Sequence, residues 1–270
     1  MSLAAEAYGF LAEHGGLPAH ACGDGGDTAA SDRPYTTLTF AQTLDGFIAL
    51  PGRPLSLSAP ESMALTHALR ASHDAILVGV QTVVCDNPSL TTRFVDEGPP
   101  PARISPPPQP RPVILDSSLR CPPTAKVLSR QPLVLTTQTR PDGSDEQTAA
   151  SWLALEDAGA SIVTVPAGAG GRIDIAAALA IIAARHGVRS VMIEGGAQVI
   201  RECLSNAQVV IDRLIVTIAP MVLGGGVHCV AGAADPQCVP AMPQLESPRY
   251  KQFGRDMVLC ARVDKKLLNA

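Results

Sequence analysis

The sequence predicts an α/β fold with a mostly parallel central sheet, antiparallel strands at its C-terminal edge, and helices on both faces. Three observations carry this reading. Between Pro34 and Leu204, short apolar runs alternate with helical segments, the pattern of strands joined by crossover helices. Ala75-Ile-Leu-Val-Gly-Val80 has no polar side chain, as in a strand buried on both faces of a covered parallel sheet. Beyond Asp212, the strand-like stretches 212–219 and 250–263 have no helix between them, which suits antiparallel edge strands.

Each element has a local reason. Residues 1–32, rich in Ala, Gly and Asp, read as a loose N-terminal arm. Tyr35–Phe40 is β-branched and aromatic and forms the first strand. Ser58-Ala-Pro-Glu61 has the form of a capping box with Pro60 in the first turn, starting a helix that runs to about Ser72. The strand Ala75–Val80 follows, then a polar loop. Eight of the sixteen residues 97–112 are prolines, so this stretch is expected as a surface loop in extended or polyproline form. Strands at Pro112–Asp116 and Pro132–Thr136, a helix near 145–158 and a strand at Ser161–Val165 come next. Asp174 caps a helix with Ile175, Leu179, Ile182 and His186 on one face, and Gly187 ends it. Arg189–Ile193 is a strand closed by Glu194 and the pair Gly195-Gly196, after which residues 197–204 turn helical. A single domain over 33–264 is expected, with no internal repeat.

Composition narrows the function. The net charge is −4 and no long basic run occurs, so nucleic acid is not an expected partner. No apolar stretch approaches the roughly 18 residues of a membrane span. Seven dispersed cysteines without a Cys-x-x-Cys pair read as reduced thiols of a cytoplasmic protein. The six histidines show no metal-ligand spacing, so no metal is expected. A Gly-x-Ser-x-Gly elbow, a Walker loop and the zinc-deaminase motif are all missing, which removes the parts that hydrolase, kinase and deaminase readings need.

Glu194-Gly195-Gly196 is the first candidate site. A carboxylate at the C-terminal end of a buried strand points into the crevice where α/β sheets bind ligands. Glycines at a helix N-terminus let backbone amides meet a phosphate, although Gly-Gly turns of this kind are commonly structural. In isolation Asp45-Gly46 reads as a tight turn and Arg70 as a snorkelling helix arginine, while Arg93 could be a loop cation. Thr82 and Asp86, four residues apart, could be simple caps. His67 and His73 read as packed or solvated side chains.

Taken in order, several blocks carry a family resemblance. They are Phe40-Ala-Gln-Thr-Leu-Asp-Gly46, the stretch 58–93, Val113-Ile-Leu-Asp-Ser117, Ile193-Glu-Gly-Gly-Ala-Gln-Val199 and Ala219-Pro-x-x-x-Gly-Gly225. Together they resemble the reductases of riboflavin biosynthesis over about residues 34–262. The stand-alone fungal and archaeal type, which acts on 2,5-diamino-6-ribosylamino-4(3H)-pyrimidinone 5′-phosphate, is most similar. Bacterial relatives carry a zinc deaminase in front of the reductase and a lysine in the first strand, where this chain has Thr39.

The resemblance implies a dihydrofolate-reductase-like fold, a homodimer and NADPH as cofactor. Thr82, Asp86, Gly195, Gly196, Ala197, Gln198 and Val199 would then contact NADPH, with Ala41, Ser56 and Val163 as further contacts. Ser117 and Ser118 would meet the adenosine 2′-phosphate. Arg70, Leu90 and Arg93 match substrate-holding positions, and the two arginines would clamp the 5′-phosphate. Glu194, with Asp45, would act on the sugar hydroxyls during ring opening. A dihydrofolate or other pterin reductase would share the fold and cofactor without needing two phosphate-clamping arginines. A non-catalytic NADPH-binding scaffold is the third reading.

Overall fold

The order of the strands in the large sheet follows from the crossovers between them. The structure is a computed structural model that describes residues 2–14, 17–18, 32–52, 55–93, 108–141, 145–228 and 244–265. Its strands are β1 (Tyr35–Thr43), β2 (Phe47–Ala49), β3 (Ala75–Gly79), β4 (Arg111–Leu115), β5 (Leu133–Thr136), β6 (Ser161–Thr164), β7 (Ser190–Gly195), β8 (Arg213–Ala219), β9 (Val227–His228), β10 (Leu245–Phe253) and β11 (Asp256–Val263). The helices are α1 (Leu3–Glu13), α2 (Pro60–Ser72), α3 (Val80–Asp86), α4 (Glu146–Asp157), α5 (Ile175–His186), α6 (Ala197–Ser205) and α7 (Ala207–Val210).

Nine strands form one sheet in the order β10-β11-β8-β1-β7-β3-β4-β5-β6, while β2 and β9 make a separate small pair. From β8 to β6 all neighbours are parallel. The hairpin β10–β11 joins β8 antiparallel, as the C-terminal sequence predicts. Alternation along each strand divides the core between two faces. Ala75, Leu77, Val191 and Ile193 pack with Leu179 and Ile182 of α5 and Ile200 and Cys203 of α6. On the opposite face, Ile76, Val78 and Ile114 meet Val83 of α3 and Trp152 of α4. Met192 and Ile215, on that same face, meet α1 and α2.

The N-terminal arm differs from expectation. Residues 3–13 form α1, capped by Ser2, whose side chain accepts the Ala5 N–H at 3.2 Å. Ala7, Tyr8, Phe10 and Leu11 recur at helical spacing and bury themselves against Leu65 and Leu69 of α2 and Phe253 of β10. That burial holds an apolar helical stripe that composition alone reads as loose. Most of the glycine-rich stretch that follows lies outside the described residues.

The start of α2 is capped by a distant residue. Ala59 occupies the N-cap without a side-chain bond, so the Ser58–Glu61 capping box does not form. Asp256, at the start of β11, instead accepts the Ala59 N–H at 2.7 Å and the Ser62 hydroxyl at 2.5 Å. The polar loop after β3 is in fact α3, closed by Asn87 in the left-handed conformation. Residues 250–263, expected as one strand-like stretch, fold back at Gly254 (φ +58°) as part of the β10–β11 hairpin. Arg111 and Pro112 belong to β4 and not to the proline-rich loop, whose residues 94–107 lie outside the described ones. Among the described residues no helix is long and apolar enough to cross a membrane.

Candidate active site

The strand order fixes where a ligand can enter. From β3 the chain moves on to β4 on one side of the sheet, whereas from its neighbour β7 it crosses to β8 on the other. Connections that diverge from adjacent parallel strands open a crevice at their C-terminal ends. Gly79–Thr82 line it from the end of β3, and Glu194–Val199 from the end of β7.

The two turns are pressed together. Gly195 and Gly196 hold φ values of +89° and +97°, a region that side-chain-bearing residues avoid. A Cβ on Gly195 would lie 2.5 Å from Cγ1 of Ile200, and one on Gly196 would lie 3.0 Å from the Thr82 hydroxyl. The same hydroxyl donates to the Gly195 carbonyl at 3.4 Å. Val199 is buried against Gly79, where a Cβ would come within 2.9 Å of its Cγ2. Gly196 is the N-cap of α6 and provides no side chain. The amides of Ala197, Gln198 and Val199 therefore have no intrahelical acceptor, which gives this end of α6 the makings of an anion cradle.

Beside this turn, Glu194 and Arg70 form a bidentate ion pair. Arg70 Nε donates to Oε1 at 2.6 Å and Nη2 to Oε2 at 2.7 Å, and both side chains are largely buried. The remaining arm, Nη1, donates to the Thr91 carbonyl at 2.9 Å. Three of the five guanidinium N–H donors are thereby used, so Arg70 is not the open phosphate clamp that the sequence suggested. Arg93 is exposed, and its main-chain N–H donates to Nδ1 of His67 at 3.1 Å. His67 is fully buried and accepts that bond through Nδ1. Burial, and then the Arg70 and Arg93 charges, push its pKa down to about 4. Leu90 has its side chain in the core and a φ of +51°.

The other expected residues fall in several places. Thr82 and the exposed Asp86 lie one turn apart on α3. Half-buried Ala41 is in β1. Ser117 and exposed Ser118 follow β4, at the same sheet edge as the crevice. The Ser117 carbonyl is fixed by the Thr136 and Thr137 hydroxyls at 3.1 and 3.0 Å.

Besides Arg70, three placements depart from the reading. The Val163 side chain is buried in the core under β6, which leaves only its main chain to a ligand. Ser56 lines a surface hollow with Ser58, Glu61 and Arg255, away from the glycine turn's residues. Asp45 accepts the Thr43 hydroxyl at 2.5 Å and the N–H groups of Gly224 and Leu223 at 2.7 and 3.0 Å. Those bonds, the Thr43 one foremost, hold its carboxyl down at about 2. These bonds make it a clasp between two loops before any sugar hydroxyl arrives.

Residues 34–259 match the family model described as the RibD C-terminal domain. The chain belongs to the RibD C-terminal domain family. Among curated members, the 2,5-diamino-6-ribosylamino-4(3H)-pyrimidinone 5′-phosphate reductase of Debaryomyces hansenii is 33% identical over 255 residues, covering 86% of this chain and 91% of the relative. The protein of the same name from Methanothermobacter thermautotrophicus is 32% identical, covering 84% of this chain and 97% of the relative. The solved riboflavin biosynthesis reductase Rib7 of Saccharomyces cerevisiae superposes with a TM-score of 0.69 at 28% identity, covering 95% of this chain and 98% of that one. The fold is thus the dihydrofolate-reductase-like one of RibD reductase domains.

Proposed function

We propose that this RibD-family chain is an NADPH-dependent reductase that converts the ribosylamino side chain of 2,5-diamino-6-ribosylamino-4(3H)-pyrimidinone 5′-phosphate to the ribitylamino form. The observation that carries the reading is the crevice itself: the glycine turn at α6 adjoins the Arg70–Glu194 pair and Arg93. The names of the relatives support the same substrate. A pterin reductase has no comparable need for a cationic phosphate pocket.

The glycine cradle suits a pyrophosphate because the amides of 197–199 have no intrahelical acceptor, while Ile200 and Thr82 leave no room for a Cβ at Gly195 or Gly196. The amides of 197–199, with Thr82 and Asp86, would hold NADPH, and Ser117 and Ser118 its 2′-phosphate. When bound, NADPH supplies the hydride. In the substrate, the C1′–O4′ bond breaks as C1′=N forms, the ring oxygen gains a proton and the nitrogen loses one. C1′ then receives the hydride and the nitrogen regains a proton. Glu194, held in one orientation by Arg70, accepts hydrogen bonds from the ribose hydroxyls and fixes C1′ for reaction. Arg93 takes the 5′-phosphate, and Arg70 organises Glu194 and Thr91.

The reading includes a homodimer, tested by sedimentation of the purified protein, and a cytoplasmic location, tested by cell fractionation. NADPH oxidation with the ribosylaminopyrimidine phosphate against dihydrofolate tests the substrate. Turnover of dihydrofolate alone would reject it.

A further inference from the structure

The segment Leu90–Arg93 belongs to no helix or strand, yet each of its residues is fastened through the main chain. The Leu90 carbonyl accepts Nη1 of Arg130 at 2.6 Å. The Thr91 carbonyl accepts Nη1 of Arg70. Thr92 is gripped twice by Gln109, its N–H donating to Oε1 at 2.8 Å and its carbonyl accepting Nε2 at 3.1 Å. The Arg93 N–H is held by His67. These side chains come from α2, from the 3-10 turn Lys126–Arg130 and from the approach to β4. Arg130 also donates Nη2 to the Pro110 carbonyl at 2.8 Å, so one planar guanidinium joins the segment to the residue after Gln109.

Irregular backbone ordinarily samples several conformers, and ordering it on binding weakens affinity. Here that ordering is built in beforehand, and it includes Leu90 in a left-handed conformation that an L residue rarely adopts. The clamp also gathers like charge. Arg70 and Arg93 both act on His67, and Arg70 also acts on Arg130. Glu194 pairs with Arg70 alone of these three, so the Arg93 charge is not spent on that carboxylate and can act on an anion.

We propose that Arg130 and Gln109 are positioning residues for the substrate: they fix the Leu90–Arg93 main chain so that Arg93 is presented to the 5′-phosphate without reorganisation. The proposal rests on the assignment of Arg93 to that phosphate. Neither residue touches the cofactor cradle or the reacting carbon.

Steady-state kinetics with the full-length protein, NADPH and the ribosylaminopyrimidine phosphate test it. Arg130→Met keeps the alkyl stem and removes both bonds, while Gln109→Ala removes both grips on Thr92. Each should raise the substrate KM on the order of tenfold, the effect of losing about two modest hydrogen bonds, with the NADPH KM and kcat within about twofold of wild type. Arg130→Lys, whose single ammonium cannot span both carbonyls, should fall between. Hydrogen exchange should quicken at the Thr92 and Arg93 amides and not in β7. An unchanged substrate KM overturns the inference, as does equal damage to both KM values with general loss of exchange protection. Arg93→Ala separates the two levels. If it raises the substrate KM while Arg130→Met does not, only the positioning inference fails. If Arg93→Ala leaves that KM unchanged, the phosphate assignment fails first.

Discussion

Replacing Glu194 by Gln alters one buried ion pair and little else. Its two bonds of 2.6 and 2.7 Å join side chains only 13% and 17% exposed. With charge centres roughly 4 Å apart and an effective dielectric near 20, the gross attraction is about 4 kcal/mol. Desolvation offsets part of it, and removing one partner of a buried pair generally costs about 3–5 kcal/mol. Gln keeps the shape but turns an NH₂ group toward a guanidinium N–H, and residual exposure softens the loss. We expect Glu194→Gln to lower stability by about 2–3 kcal/mol, which is ~4–12 °C in Tm for a chain of this size. Arg70→Met should cost a similar amount. The double variant should fall short of additivity by about 2 kcal/mol in urea unfolding, because each single change already breaks the pair. NADPH affinity should stay near wild type while turnover falls. Additivity within about 0.5 kcal/mol, or normal turnover in Glu194→Gln, refutes the reasoning.

Gly196→Ala should cost about 1–3 kcal/mol of backbone strain at φ +97° and weaken NADPH binding more than substrate binding; equal losses in titration would remove the glycine from the cofactor cradle. His67 adds a pH dependence. Its folded pKa is depressed to about 4, so its stabilising effect is complete above the unfolded value near 6.5 and is lost as pH falls toward about 4. Unfolding midpoints across that window should show the slope, reduced in His67→Gln; identical slopes would refute it. Ser117→Asp with Ser118→Asp should weaken NADPH by repulsion and leave NADH nearly unchanged, and unaltered discrimination between the two cofactors would take these serines out of the site.

Periodicity and punctuation made much of the sheet legible. Helix α5 begins at Asp174 and stops at Gly187 as its caps dictate, and the glycine turn after β7 lies where the run Arg189–Ile193 ends. The short helix α3 was hidden because Val80, Val83 and Val84 mimic the strand before it, over only seven residues. The stripe on α1 has meaning only once α2 and Phe253 are there to receive it. Long-range pairing is harder still. Nothing near Arg70 announces that a carboxylate 124 positions later will occupy it, or that Asp45 is claimed by amides 178 and 179 positions away. Motif resemblance located these side chains, but only packing shows which of their hydrogen-bonding groups are already spent.

The Asp256 cap on α2 bears on how the molecule comes into being. Ser62 and Asp256 are 194 residues apart in the chain, and β7, which slots between β1 and β3, also arrives late. Contacts of such sequence separation slow folding, because a long loop must close before they contribute. At the usual pace of synthesis, about 5–20 residues per second, the start of α2 waits ~10–40 s on the ribosome for its capping carboxylate. His67 and Arg70 ride on that helix, so the crevice takes its final shape only after the last hairpin has emerged.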